Sequence, residues 1–307
     1  MSQFVMAAIQ AAPVHFDRQV SAEKASRLIV EAADKGATIA AFGECWLPGY
    51  PMFAFMPPTP LRSKAGGAYI ASAVKIPGAE TGMICAAAKK AKLDVVIGVA
   101  ELDQRTQGTV YGTLLFISRD GEILGKHRKL KATFHERTVW GEGDGSSLLV
   151  YQRPYARISG LNCWEHQMML PGYALAAQGT QIHVAAWPGR EPDPAPPPMV
   201  VLWPRQILLS RAFASQAGAY VICAGAINRK SDYPEEYQEL VAFEHDGSSC
   251  IIDPRGEIIA GPVKGEETVI TAQGSLEQVQ MVKAAIDIGG HYSRPDVFRF
   301  SVVSGNS

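Results

Sequence analysis

The chain has 307 residues, 47% of them hydrophobic, and its 29 Lys+Arg stand against 30 Asp+Glu for a formal net charge of −1 at pH 7. That length suits one large core, and the near-cancellation of charge, with no basic stripe, RNA-binding word or paired metal-ligand spacing, excludes nucleic acid as the expected partner in favour of small-molecule chemistry. Five scattered cysteines (45, 85, 163, 223 and 250), without a CxxC or clustered histidines, exclude a disulfide framework and a zinc site and suit a reducing, cytoplasmic compartment.

The opening "MSQFVMAAIQAAP" lacks a cationic leader region and carries Gln10 inside its apolar run, so "FVMAAIQAA" is predicted as a first strand and not a signal peptide. No apolar run reaches the length of a membrane span, which excludes a membrane partner. Ala22, Ala25, Leu28, Ile29 and Ala32 recur at helical spacing and predict a helix over residues 20–36. "ATIAAFGE" follows as a buried strand, then the Pro/Gly-rich excursion "LPGYPMFAFMPPTP", a helix over 80–92, strands "DVVIGVAEL" and "VYGTLLFIS", the turn "RDGE" and strand "ILGKHRK". The second half keeps this alternation, with strand "ARISGLNCW", helix "LPGYALAAQG", strand "IHVAAWP", a loop carrying "EPDPAPPP", helix "LWPRQILLSRAFASQAG" and strand "YVICAGAIN". A hairpin around Pro254-Arg255-Gly256, strand "TVITAQG" and a last helix complete it. No linker separates the halves, and a layered α-β-β-α sandwich is the simplest architecture.

Cys163 ends a strand and opens a helix-forming stretch, an elbow that would hold its sulfur near amide N–H groups; such amides and a nearby cation favour thiolate over thiol. The other candidate nucleophiles are weaker, since cysteines 85, 223 and 250 sit inside apolar runs where a thiol is a small buried hydrophobe. Lys129 lies in a basic run that reads as a solvated turn, except that Phe134, Val139 and Trp140 follow it and suggest partial burial. Glu44 closes a buried strand at its carboxyl edge, where open α/β sheets place their sites. Glu136, flanked by His135 and Arg137, has the appearance of an ion-paired acid. Together they offer a thiol, a base, a cation and a second acid.

In this arrangement, and in the words "HRKL", "NCWEH", "HERTVWGEGDG" and "GHYSRPD", the chain resembles the nitrilase superfamily of carbon–nitrogen hydrolases over nearly its whole length. The resemblance implies an α/β, four-layer αββα sandwich, a single domain over residues 1–307, and a Glu-Lys-Cys triad. It makes Glu44 the base, Lys129 the cation, Cys163 the nucleophile and Glu136 the supporting acid. Cys-Trp-Glu at 163–165 resembles the nitrilase branch, which implies hydrolysis of a nitrile to the carboxylic acid and ammonia through a thioimidate and a thioester, with no metal and no organic cofactor. An amidase or carbamoyl hydrolase would use the same residues on an amide, and a non-catalytic binding scaffold would have no need to keep all of them. Three local words depart from the family pattern: Phe42-Gly43-Glu44 stands where Phe-Pro-Glu is usual, Ala132-Thr133 where Pro-Thr is frequent, and Met169-Leu170-Pro171-Gly172 where Pro-Leu-x-Arg is common.

Tyr50, His135, Trp164, Trp187 and Pro188, beside the catalytic words or at predicted strand ends, are the candidate lining of a partly apolar substrate pocket. His135 has the alternative role of positioning Glu136. The apolar faces of "ILLSRAFASQAG" and the family's habits imply a homodimer or a limited higher homo-oligomer, because little sequence follows "GHYSRPDVF".

Overall fold

The computed structural model describes residues 3–190 and 205–303. Its elements run β1 (Gln3–Gln10), α1 (Arg18–Asp34), β2 (Ile39–Ala41), α2 (Pro60–Ser72), α3 (Ala79–Ala91), β3 (Asp94–Leu102), β4 (Val110–Ile117), β5 (Ile123–Arg128), β6 (Tyr151–Gln152), β7 (Arg157–Asn162), α4 (Met169–Ala177), β8 (Ile182–Trp187), α5 (Arg205–Ala217), β9 (Tyr220–Gly225), β10 (Ile227–Asn228), β11 (His245–Ile252), β12 (Ile258–Lys264), β13 (Thr268–Ser275) and α6 (Leu276–Ala285). Among the described residues the strands form two sheets, ordered β13-β1-β2-β3-β4-β5 and β10-β11-β9-β8-β7-β6, with β12 beside β11. The centres are parallel, β1 with β2 and β3 in one sheet and β7 with β8 and β9 in the other, and antiparallel strands flank both.

Side-chain alternation along the strands sorts the apolar residues into layers. On β8, Ile182, Val184 and Ala186 enter the core between the sheets with Phe4, Met6 and Ala8 of β1 and Leu114 and Phe116 of β4. The intervening Ala185 and Trp187 turn the other way, onto Phe213 and Ala214 of α5. On β1, Ala7 and Ile9 pack outward against Ala25 and Ile29 of α1 and Ile84 and Ala88 of α3. Helix, sheet, sheet and helix thus stack as a four-layer αββα sandwich. Burying each large aliphatic side chain contributes about 1.5–3 kcal/mol, and a one-residue slip would misplace both faces of a strand at once.

The sheets approach each other closely where β2 and β8 end. Glu44 N–H donates across to Trp187 O at 3.0 Å, linking one sheet to the other. Glycine permits this approach: a Cβ on Gly43 would lie 2.5 Å from Trp187 O, and one on Gly98 of β3 would lie 2.2 Å from Gly43 O.

Some elements differ from the sequence expectation. The strand expected over "ATIAAFGE" pairs only at Ile39–Ala41, because the chain then leaves β3 and reaches toward β8. "ARISGLNCW" ends as strand at Asn162, since Cys163 takes a φ of 49° and opens a 3-10 turn over Cys163–Gln167. Helix α2 is not among the expected elements; Thr59 caps it by accepting from Arg62 N–H, and Pro60 takes its first position. Gly66 and Gly67 weaken its intrinsic preference, whereas Ala65 and Tyr69 pack against Tyr50 and Phe53 and so stabilise it. The "EPDPAPPP" loop and the first turn of the helix expected from residue 202 lie outside the described residues. No helix among the described residues is long and apolar enough to cross a membrane.

Candidate active site

Lys129, one residue beyond β5, is a long basic side chain only 1% exposed, so its charge must be compensated from within the protein. Its ammonium donates to Glu44 Oε1 at 2.7 Å and to Glu136 Oε2 at 2.8 Å, and stands 5.3 Å from the centroid of the Trp140 ring. Glu136 is held further by Thr133 N–H at 2.6 Å and by the Tyr50 hydroxyl at 2.5 Å. Glu44 Oε2, by contrast, is buried with no hydrogen-bond partner. One donor atom each from Glu44, Glu136 and Cys163 lie within 4.8 Å of one another. That spacing would also suit a metal ion, but the Lys129 ammonium already stands against both carboxylates and supplies the positive charge there.

Two acids and one cation in a dry site leave one proton poorly assigned. Burial pushes the Glu44 carboxyl up to about 8, against the pull of Lys129 and with added repulsion from Glu136. Burial alone would strip Lys129 of its proton, but Glu136 and Glu44 outweigh it and hold the ammonium charged well above the ordinary lysine range. Burial, followed by the Glu44 charge, pushes the Cys163 thiol well above its usual value, although Lys129 and the Trp164 N–H pull the other way. The amide and cation expected to favour the thiolate are present as the Trp164 N–H and Lys129, but burial and the two carboxylates outweigh them and favour the protonated thiol.

The Cys163 elbow is fixed by its carbonyl, which accepts from His166 Nδ1 at 2.7 Å. With that proton on Nδ1, His166 Nε2 accepts from His183 Nε2 at 3.0 Å, and His183 Nδ1 accepts from the Ser159 hydroxyl at 2.8 Å. Burial keeps both rings neutral, lowering His166 to about 4 and His183 well below the usual histidine range.

A cavity of about 40 Å³ opens onto Cys163 and Glu136. Tyr50, Trp164, Trp187 and Pro188 line it, as do Phe55, Phe243 and His245. His135 does not. It lies exposed on the 3-10 turn that points Glu136 inward, packs its ring 5.4 Å from Phe55, and makes no contact with the Glu136 carboxylate among its hydrogen bonds. Consecutive residues of a tight turn point in different directions, so adjacency to Glu136 in sequence placed His135 wrongly in the pocket. Phe243 and His245 were missed because they carry no motif and come from the far end of the chain. Glu165 and His127 were missed as site residues although both sit inside the diagnostic words, since nothing in a one-dimensional pattern shows that they meet.

The profile of the carbon–nitrogen hydrolase family matches residues 5–284. Over 297 residues the chain is 54% identical to Nitrilase 2 of an unknown prokaryotic organism, covering 95% of this chain and 90% of that protein. It is 35% identical over 303 residues to an aliphatic nitrilase of Rhodococcus rhodochrous, covering 96% and 81% respectively. In fold it is similar to Saccharomyces cerevisiae Nit3, a member of branch 10 of the nitrilase superfamily, with a TM-score of 0.74 and 20% identity over 95% of this chain and 97% of that one.

Proposed function

The chain belongs to the carbon–nitrogen hydrolase family and is an enzyme that hydrolyses nitriles; we propose that it does so with Cys163 as nucleophile, Glu44 as general base, Lys129 as the stabilising cation and Glu136 as the supporting acid. The observation that carries this reading is the single buried ammonium shared by two carboxylates within 4.8 Å of a thiol.

A nitrile carbon is a weak electrophile, so sulfur must lose its proton as it attacks. Glu44 Oε2, which has no other partner, takes that proton while the new C–S bond forms and charge develops on nitrogen, opposite the Lys129 ammonium. Glu44 passes that proton to nitrogen, giving the thioimidate. Water then adds across its C=N bond, with Glu44 moving one water proton to nitrogen, and the tetrahedral centre holds sulfur, a hydroxyl oxygen and an amino nitrogen. Glu44 moves the hydroxyl proton to that nitrogen, which leaves as ammonia as the C=O bond forms, and the C–S bond is retained as a thioester. A second water, deprotonated by Glu44, cleaves that bond to release the carboxylic acid and restore the thiol. If sulfur leaves in place of nitrogen, the product is the amide, which is expected as a minor, substrate-dependent outcome. The chemistry uses no metal or organic cofactor.

The test is Cys163→Ala: turnover is expected to vanish with the thermal midpoint nearly unchanged, and mass spectrometry of the wild type under turnover to show an adduct on the Cys163 peptide. An adduct on Cys45 would overturn the assignment. A nitrile and its matching amide assayed side by side separate this reaction from amide hydrolysis, which the relatives' names do not favour.

Assembly at least as a homodimer belongs to the same reading. Met169 and Leu170 of α4 and Leu208 of α5 are 82%, 66% and 57% exposed, and a second copy laid on these neighbouring helices would cover them. Light scattering on the purified protein tests it, a monomer being the contrary result.

A further inference from the structure

We infer that Glu165 is a positioning residue that fixes the spacing between Lys129 and Cys163, an inference that rests on the catalytic reading above. Lys129 follows β5, the edge strand of one sheet, and Cys163 follows β7, which belongs to the other. No ladder of hydrogen bonds joins those strands, and apolar packing between sheets is not directional. Glu165 spans the gap. Its Oε1 accepts the N–H of Leu130, the residue after the lysine, at 2.8 Å, and its Oε2 accepts the N–H of Asn162, the residue before the cysteine, at 2.8 Å.

The carboxylate is 1% exposed and braced from the side by His127 Nε2, 3.1 Å from both oxygens. The His127 ring is itself bonded through Nδ1 to Ser147 Oγ at 3.0 Å. Burial alone would raise the Glu165 carboxyl, but His127 and the two peptide N–H groups bring it below its ordinary value, so it accepts from both peptides as an anion. One side chain thereby ties the peptide next to the cation to the peptide next to the nucleophile. A displacement on the order of 1 Å between reacting groups can cost about a hundredfold in rate.

Glu165→Gln tests this directly. The amide keeps the shape and one acceptor oxygen, but its NH2 faces one of the two peptide N–H groups, so one tie is lost. The expected result is a fall in kcat of about 10- to 100-fold with KM within about threefold, and partial recovery of kcat in Glu165→Asp, which keeps the carboxylate. Ile29→Val, a core truncation in α1, serves as the control for lost stability and is expected to keep kcat. A kcat for Glu165→Gln within about twofold of wild type, or a loss no greater than that of the control at equal thermal midpoint, overturns the inference. Should Glu165→Gln not fold, His127→Asn leaves the carboxylate on its two amides and removes only its brace; a fall in kcat of about 3- to 10-fold supports the inference and an unchanged kcat overturns it. Turnover by Cys163→Ala would overturn the catalytic reading itself, whereas a Cys163 that is essential yet indifferent to Glu165 and His127 would overturn only the positioning role.

Discussion

Two clusters of charge leave opposite faces of the same short stretch of chain. On one face, the side chains of Lys126 and Arg128 are 35% and 29% exposed and share a single carboxylate, Glu101. On the other, Lys129, at 1%, is shared by Glu44 and Glu136. The residue types are the same and the stoichiometry is inverted. With two cations to one acid at the edge, Arg128 and Lys126 overcome the effect of burial and hold the Glu101 carboxyl below its ordinary value. With two acids to one cation in a dry interior, burial drives Glu44 up to about 8. The first arrangement fixes every proton and is an ion pair. The second raises one acid toward working pH, as the proposed general base requires.

Removing a lysine from each cluster in turn should separate the two most widely. Lys129→Met is expected to lower kcat/KM by about a hundredfold or more, as loss of a transition-state cation does, while Lys126→Met, and Lys131→Met at a separate exposed pair with Glu142, stay within about threefold. Comparable losses at all three positions in steady-state assays would show that the inverted stoichiometry has no catalytic meaning.

A pH profile of turnover probes the mobile proton itself. In the proposed mechanism Glu44 acts as base only when ionised, so kcat/KM is expected to rise about tenfold per pH unit below an inflection near pH 8 and to level off above it. A profile flat from pH 6 to 9 would contradict the raised carboxyl.

Stability responds on the acid side, through buried histidines that stay neutral in the fold. Burial lowers His15 and His245 to about 3, His166 to about 4, and His183 well below its usual range. A depressed histidine binds its proton only in the unfolded chain. The stability it contributes is therefore complete above the unfolded value near 6.5 and is lost as pH falls toward the folded value. Each of the four contributes a slope of up to ~1.4 kcal/mol per pH unit in that window. Denaturant titrations from pH 7 to 4 are expected to show this steep loss, and a pH-independent midpoint would rule it out.

The smallest effect is expected at the edge cluster. Glu101→Gln should destabilise by about 1–2 kcal/mol, because Lys126 and Arg128 are partly solvated and can re-hydrate, and should leave kcat within about threefold. A large loss of activity there would mean that the two faces are coupled.

The layers were legible in the sequence, and so were the residues proposed to react. Near-continuous apolar strands such as "IHVAAW", buried on both faces, and the helical spacing in α1 carry their burial in one dimension, because backbone geometry fixes which side chains share a face. Glu44, Lys129 and Cys163 could be named because each sits at the end of a strand-like run in a word of distinctive chemistry. The chemical state of those groups is a property of the folded chain. Lys129 meets Glu44 across 85 positions of sequence, and Glu165 reaches Leu130 across 35. His135 points outward while its neighbour Glu136 points in, a direction set by a tight turn. The protonation of Cys163 and Glu44 depends on how much water and which charges surround them, and that is a sum over neighbours brought from both sheets, which no local pattern contains.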